Sequence, residues 1–434
     1  MELDLSKMKK VFFVGIGGIG ISAIARMMLL EGKTVLGSDI AENEAIAELR
    51  KFNAEISIGQ KIELIPKDVN LIVYTIAIPR FDPKFFQELK STFTVPTLTY
   101  PQMLGIVTAD KNTVAVSGTH GKTTTTAMIA KILVDAGKDP SVVIGSFLKE
   151  TNSNLIVGKS DIFVVEACEY ERSFLNLKPK ILVITNIEPD HLDYYKDLSD
   201  IQNAFGQLMS QTENVVVYNG QDANISILVH EYARKKVDYT KYLDQVPKLL
   251  VPGVHNRMNA AAALTVADIL NVNKNEAEKA VAGFSGTWRR LDKKGETKDG
   301  TIVYDDYSHH PTEIKAAIQG LRELYPDKKI TILFQPHLYS RTKALFADFA
   351  KSFKGADKML LLPIYFAREA KDDSISSEKL ADAICQAGEN AQAFADFETA
   401  ENFMKGLKFG SNDVFVTMGA GEAYKVADKI FKIV

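Results

Sequence analysis

The chain has 434 residues, 46% of them apolar and 25% charged, which fits a soluble globular protein and excludes a low-complexity or disordered class. Its formal net charge is -3, so no global basic field recruits nucleic acid or an anionic membrane surface. With only two cysteines, Cys168 and Cys385, a disulfide framework is unexpected and a reducing cytoplasm fits. At about 150 residues per domain, this length predicts about three domains. No secretory signal layout and no uninterrupted membrane span is read; the uncharged stretch from Val11 to Ala25 is short and broken by four glycines.

In chain order, Val11 to Val14 reads as a strand and Ile19 to Leu30 as a helix. A strand at Thr34 to Leu36, a helix from Glu42 to Phe52 and a strand at Leu71 to Tyr74 follow. Such alternation predicts a parallel α/β sheet. Gly15, Gly17, Gly18 and Gly20 form the turn between the first strand and helix, and Asp39 ends the next strand. That spacing is a dinucleotide fingerprint, and by itself it favours an NAD-dependent oxidoreductase. The same loop holds any pyrophosphate against a helix N-terminus, so a UDP-sugar fits equally. The polar stretch Val107 to Asn112 reads as a linker.

Next comes an apolar strand, Thr113 to Val116, then Gly118-Thr119-His120-Gly121-Lys122-Thr123-Thr124, then a helix from Thr124 to Ala136. Strand, glycine turn, Lys-Thr and helix make a phosphate-binding loop, with Val116 where the general pattern has its first glycine. Backbone N–H groups and the helix N-terminus favour a polyphosphate there, Lys122 reaches its outer phosphates, and the Thr123 hydroxyl suits Mg2+. Strands are read at Ser141 to Ile144, Ile162 to Val165, Ile181 to Ile184 and Val215 to Tyr218. Helices are read at Ile201 to Met209, Asn256 to Leu270 and Asn275 to Ala282.

Glu166 ends a strand, where a carboxylate points into the ligand crevice of an open α/β sheet. His191 follows the next apolar strand in Thr185-Asn186-Ile187-Glu188-Pro189-Asp190-His191. Glu169 and Glu171 read as solvated or loop-stabilising, and Cys168 has no second signal for a nucleophile. Asn256 reads as a helix N-cap, or with Asn259 as a pair of amides for a purine edge.

The last part opens after Gly286-Thr287-Trp288-Arg289-Arg290. Its strands are Ile302 to Tyr304, Ile330 to Phe334, Met359 to Leu362 and Val414 to Thr417. Its helices are Thr312 to Leu324, Lys343 to Phe353 and one after Gly421. Asp305-Asp306-Tyr307-Ser308-His309-His310-Pro311 gathers acids and histidines at one strand end, with Pro311 at helix position N1. His337 and Arg341 follow the next strand, and an Arg fork suits a substrate carboxylate.

Taken together, these motifs resemble the ATP-dependent Mur ligases of bacterial cell-wall synthesis, over nearly the whole chain. The resemblance rests on Gly15 to Gly20 with Gly37 to Asp39, Gly118 to Thr124, Glu166 to Glu169, Thr185 to His191, His255 to Asn259, Asp305 to Glu313 and Gln335 to Thr342. It implies an α/β chain of three domains, each with a mostly parallel sheet: a Rossmann-like UDP-sugar domain (1–107), a P-loop central ATPase domain (108–285) and a Rossmann-like amino-acid domain (286–434).

Carried over by position, Gly15, Gly17, Gly18, Gly20, Ser38 and Asp39 hold the UDP-sugar. Gly118, Thr119, His120, Gly121, Lys122, Thr123, Thr124, Asn256, Asn259, Arg290 and Asp306 hold ATP. Thr123, Glu166 and His191 hold two Mg2+ ions, and Tyr307, His309, His337 and Arg341 surround the amino acid. Lys122, Glu166, His191 and His309 would carry catalysis, with His309 as the base for the amine.

The implied activity joins L-alanine to UDP-N-acetylmuramate through an acyl phosphate, in a cytoplasmic monomer or weak homodimer. It needs no nucleic acid and no membrane insertion, and hinges are expected near Asn112 and Thr287. Alternatives are a ligase recycling murein tripeptide and a non-catalytic Mur-like binding protein. No lysine lies between Lys196 and Lys235, which agrees with the branch that has no carbamoylated lysine beyond its Asp-His motif. Tyr100 and Leu338 stand where the family more often carries Arg.

Overall fold

The computed structural model describes residues 3–366 and 369–433. The chain divides into two compact units. The first comprises 1–187, 201–242 and 262–280; the second comprises 188–200, 243–261 and 281–434.

The first unit holds two sheets. One has five parallel strands, in spatial order Glu55–Ile58, Thr34–Asp39, Lys10–Val14, Leu71–Tyr74 and Thr97–Thr99. The run Val11 to Val14 is buried on both faces, which is why it reads as continuous apolar sequence rather than alternation. The register pairs Val14 with Ser38 and with Tyr74. Gly15 and Asp39 therefore emerge at one carboxyl edge, where the strand order reverses and ligands bind in such sheets. The helix Ile19–Leu30 covers this sheet with Ile21, Ala23, Ile24, Met27 and Met28 buried.

The other sheet has seven strands. Its spatial order is Lys235–Asp238, Val215–Tyr218, Ile181–Ile184, Asn112–Ser117, Ile162–Glu166, Ser141–Leu148 and Ser153–Ile156, all parallel except the last pair. Asn112–Ser117 is central, flanked by Ile181–Ile184 and Ile162–Glu166. Pairing Val116 with Glu166, and Ser117 with Ile184, brings Gly118, Glu166 and Thr185 to one edge.

The second unit is built on a six-stranded sheet: Asp292–Glu296, Ile302–Asp306, Asp413–Met418, Lys329–Phe334, Lys358–Leu361 and Ala391–Ala393, antiparallel only in the first pair. One face buries Ile314, Ile318 and Leu321 of the helix Pro311–Leu324 against Ile330, Ile332 and Phe334. Asp306 and Phe334 both pair with Met418. The segments after 306, 334 and 418 thus share one sheet end.

Three expectations about elements change. The linker from Val107 shrinks to 109–111, because a helix Tyr100–Thr108, with a Thr99/Gln102 capping box, runs into it and Asn112 already starts a strand. The single helix expected from Lys343 to Phe353 is two short ones, Tyr339–Ala344 and Phe346–Ala350, broken at Leu345 (φ -108°). Asn256 is no N-cap: the helix begins at Val254, and the Asn256 Nδ2 donates to the Pro252 carbonyl at 2.7 Å.

Candidate functional site

In the first unit the phosphate loop is a closed backbone structure. Gly118 (φ 132°) and Gly121 (φ 81°) take conformations that an L side chain resists. A Cβ on Gly118 would also lie 2.0 Å from the Thr185 Oγ1. The loop is stapled to the next strand end. The Thr119 N–H donates to the Asn186 carbonyl at 3.0 Å, and the His120 N–H to the Asn186 Oδ1 at 2.8 Å. The Thr185 hydroxyl and the Asn186 amide both donate to the His120 carbonyl, at 2.6 and 3.0 Å. The helix that follows starts at Lys122, with Thr123 and Thr124 buried in its first turn.

Lys122 lies over its own loop. Its Nζ donates to the Gly118 carbonyl at 2.5 Å, the Thr119 carbonyl at 3.1 Å and the Glu169 Oε1 at 3.0 Å. Burial alone would lower the lysine's pKa, but the Glu169 carboxylate, with Cys168 and Glu166 behind it, pushes it up to about 12. Of the two sequence readings of Glu169, solvated or loop-stabilising, the solvated one is overturned: it is 3% exposed and is the ion-pair partner of Lys122. Residues Glu171 and Arg172 turn the chain at positive φ just beyond it, a reversal that no glycine announces in the sequence.

The Thr123 hydroxyl donates to the Glu166 Oε1 at 3.0 Å, and the other Glu166 oxygen accepts from the Gly145 N–H at 2.8 Å. Gly145 has no room for a Cβ, which would sit 2.7 Å from that carboxylate. A hydroxyl and a carboxylate side by side beneath a phosphate loop are hard oxygen donors of the kind Mg2+ takes, so these residues fit the ion.

The N-terminal glycine loop answers its own amides. Gly15 and Ile16 donate to the Ser38 carbonyl at 2.8 and 3.1 Å, and Gly18 to the Gly15 carbonyl at 3.2 Å. Gly17 donates to the Asp39 Oδ2 at 2.8 Å. Gly20 lies against the Tyr100 ring, which a Cβ would strike at 2.6 Å.

In the second unit, His191 follows Asp190 with φ 53° and its Nε2 3.7 Å from the Asp190 carboxylate. Arg341 donates from Nε to Asp190 at 3.1 Å and contacts the His337 Nδ1 through Nη1 at 3.1 Å. One edge of the guanidinium expected to take a substrate carboxylate thus already serves Asp190. Burial would raise the Asp190 pKa, yet His191 and Arg341, then His309 and His310, hold it well below the usual carboxylate range.

The rings of Tyr307, His309 and His337 form a chain of edge contacts, with centroids 5.2 and 5.8 Å apart. His337 stacks on Tyr365 at 5.6 Å. Burial pushes His309 down to about 4 and His337 to about 3, so both are neutral at neutral pH. His310 caps the helix that begins at Pro311.

Arg290 lies over the Tyr307 ring at 5.1 Å, and its Nη1 is 3.6 Å from Glu313. Asp306 is 5% exposed, and its oxygens accept from the Leu291 and Ser308 N–H groups at 2.6 and 2.8 Å. Asp306 therefore acts first as a staple on the segment that carries Arg290. Sequence reasoning passed over Arg289, which is 4% exposed. It donates to Asp305 at 2.8 Å and to the Gly421 and Gly419 carbonyls at 3.2 and 2.7 Å. Its carbonyl accepts the Tyr307 N–H at 2.7 Å. The doubled Arg289-Arg290 was its only signal. Asn256 and Asn259 lie one turn apart on one helix, and the Asn259 Nδ2 is 3.4 Å from the Asn256 Oδ1.

Three family models cover most of the chain: the Mur ligase family catalytic domain over residues 10–112, the Mur ligase middle domain over 116–248, and the Mur ligase glutamate ligase domain over 289–421. A protein of Caldanaerobacter subterraneus named UDP-N-acetylmuramate–L-alanine ligase is 38% identical, covering 100% of this chain and 99% of its own. One of the same name from Clostridium novyi is 40% identical over 97% and 96%. The crystal structure of UDP-N-acetylmuramate–alanine ligase from Thermotoga maritima superposes with a TM-score of 0.80 at 28% identity, over 97% of this chain and 98% of that one. A murein peptide ligase from Psychrobacter arcticus, at 21% identity and TM-score 0.71 over 98% of both chains, shares the fold.

Proposed function

The chain belongs to the Mur ligase family, and from that premise we propose that it joins L-alanine to the lactyl carboxylate of UDP-N-acetylmuramate, using ATP, in peptidoglycan precursor synthesis. The full-length identity to ligases of that name carries the reading. The Lys122, Thr123 and Glu166 arrangement gives it chemistry.

The lactyl carboxylate attacks the γ-phosphorus of ATP, giving an acyl phosphate and ADP. The amine of L-alanine attacks the activated carbonyl, and phosphate leaves. Both steps bring anions together, so charge neutralisation and alignment dominate the barrier. Lys122 neutralises the outer phosphates, the loop amides and helix N-terminus orient them, and the family resemblance assigns Arg290 to the same phosphates. Asn256 and Asn259 address the adenine, and Asp306 acts on the ribose side by holding the segment of Arg290. Thr123 and Glu166 would hold one Mg2+ and Glu166 with His191 a second; bound there, the ions supply positive charge to the phosphates.

Gly15, Gly17, Gly18, Gly20, Ser38 and Asp39 form the UDP-sugar loop. Tyr307, His309, His337 and Arg341 form the amino-acid site. We assign the domains as 1–107, 108–285 and 286–434. No helix among the described residues is long and apolar enough to cross a membrane. Cytoplasmic action as a monomer or weak homodimer matches nucleotide substrates.

Purified protein with ATP, UDP-N-acetylmuramate and L-alanine is expected to release ADP in step with product. Release with murein tripeptide alone would replace this substrate assignment by the recycling one, and absence of turnover with either would leave a binding protein.

A further inference from the structure

His309 and His337 are adjacent, but their δ nitrogens face opposite chemistry. The His309 Nδ1 lies 2.9 Å from the Tyr307 carbonyl and 3.5 Å from the Glu313 carboxylate. Both neighbours only accept, so this nitrogen carries the hydrogen. The His337 Nδ1 lies 3.1 Å from Nη1 of Arg341. A guanidinium only donates, so this nitrogen carries the lone pair. In a neutral imidazole the other nitrogen takes the complementary role. The His309 Nε2 is therefore bare and the His337 Nε2 bears hydrogen. Neither Nε2 has a hydrogen-bond partner among the described residues.

Resting on the reading above, we propose that this opposed pair of tautomers divides the amide-forming step: the His309 Nε2 takes a proton from the incoming ammonium, and the His337 Nε2–H donates to the carboxylate of the same amino acid. The ammonium has no lone pair until one proton passes to His309. The freed pair then forms the N–C bond, and the C–O bond to phosphate breaks with its electrons on the oxygen. The second nitrogen proton leaves with the phosphate, so the amide keeps one hydrogen. Arg341 holds the His337 ring and Asp190 holds Arg341. The donor is thus oriented from behind, which suits a residue that must present hydrogen rather than remove it. The neighbouring groups (Glu313, Asp190, Arg341 and His191) bias the rings but do not exchange their donors and acceptors.

Nitrogen NMR of histidine-labelled full-length protein reads the tautomers directly, with each ring assigned by its loss in His309→Asn or His337→Gln. Hydrogen on Nδ1 of His309 and on Nε2 of His337 is expected; the same tautomer on both overturns the proposal.

Kinetics supply the second arm. Hydroxylamine, already a free base at neutral pH, can replace alanine and trap the acyl phosphate as a hydroxamate. In the unaltered enzyme, hydroxamate formation tests the acyl-phosphate reading itself. In His309→Asn, whose amide N–H stands in for Nδ1–H, turnover with alanine should fall about 100-fold or more relative to hydroxamate formation. An equal fall in both overturns the base assignment while leaving the ligase reading intact. His337→Gln keeps a donor near the ε position and should stay within about 3-fold in KM for alanine. His337→Asn keeps only the Arg341 contact and should raise KM about 10-fold or more. The reverse order overturns the donor role.

Discussion

Lys122 and Glu169 form an ion pair of 2.9 Å across the mouth of the phosphate loop, with the lysine also bound to the Gly118 and Thr119 carbonyls. Glu169 thus holds the cation proposed to meet the ATP phosphates. Replacing Glu169 by Gln leaves that cation without its counter-charge, and breaking a buried pair from one side typically costs about 3–5 kcal/mol. The variant should melt several degrees lower without nucleotide, and saturating ATP should restore most of the loss. Equal melting shifts with and without ATP in a thermal-shift titration would show that Glu169 does not act through the lysine.

Glu166 is fixed by Gly145 on one oxygen and by Thr123 on the other. Glu166→Gln keeps the size and a hydrogen-bonding group but removes the charge a divalent ion needs. Turnover should drop about 100-fold or more and regain part of that at raised Mg2+. A magnesium titration superimposable on the parent curve would remove Glu166 from the metal set.

Gly118 combines φ 132° with a Cβ position 2.0 Å from the Thr185 hydroxyl. Gly118→Ala must open the loop or move Thr185, at a strain of about 1–3 kcal/mol. The expected outcome is a raised KM for ATP with the circular-dichroism spectrum unchanged. An unchanged KM would mean that the loop relaxes elsewhere.

Three histidines sit below their ordinary value of 6.5, His255 and His309 at about 4 and His337 at about 3, each chiefly through burial. Below pH 6.5 the unfolded chain binds protons that the folded chain refuses. Stability is therefore full above that pH and falls as pH drops toward 4. Asp190 titrates below this window and adds nothing within it. The melting temperature should decline steadily from pH 7 to pH 5, and His255→Gln should flatten the slope; a pH-independent melt would contradict the burial of these rings.

Much of this architecture was legible because parallel strands buried on both faces leave unbroken apolar runs. Ile181–Ile184, Val215–Tyr218 and Leu71–Tyr74 fall where the sequence put them. The helix Ile19–Leu30 is bounded by its glycine turn and by Glu31-Gly32. What escaped was set by contacts distant in sequence or by backbone reversals without a glycine. Glu169 gained its partner only because 171 and 172 turn back. Asn256 lost its capping role because Gly253, at φ 96°, lets the helix begin two residues earlier. Arg289 and Arg290 are neighbours of one type, both within reach of the Tyr307 ring, and only the fold separates them: one guanidinium is buried on Asp305, the other is part-exposed beside Glu313.

The N-terminal glycine turn has one more implication. Its four successive amides, from Gly15 to Gly18, are already committed to Ser38, Asp39 and Gly15 itself. Such a turn is built before any ligand arrives, so the pyrophosphate proposed to bind there would lose little ordering entropy at it. It meets a finished surface whose remaining attraction comes from the first turn of the helix behind it. Hydrogen exchange at these four amides should be slow in the ligand-free protein, and nucleotide-sugar should change it little.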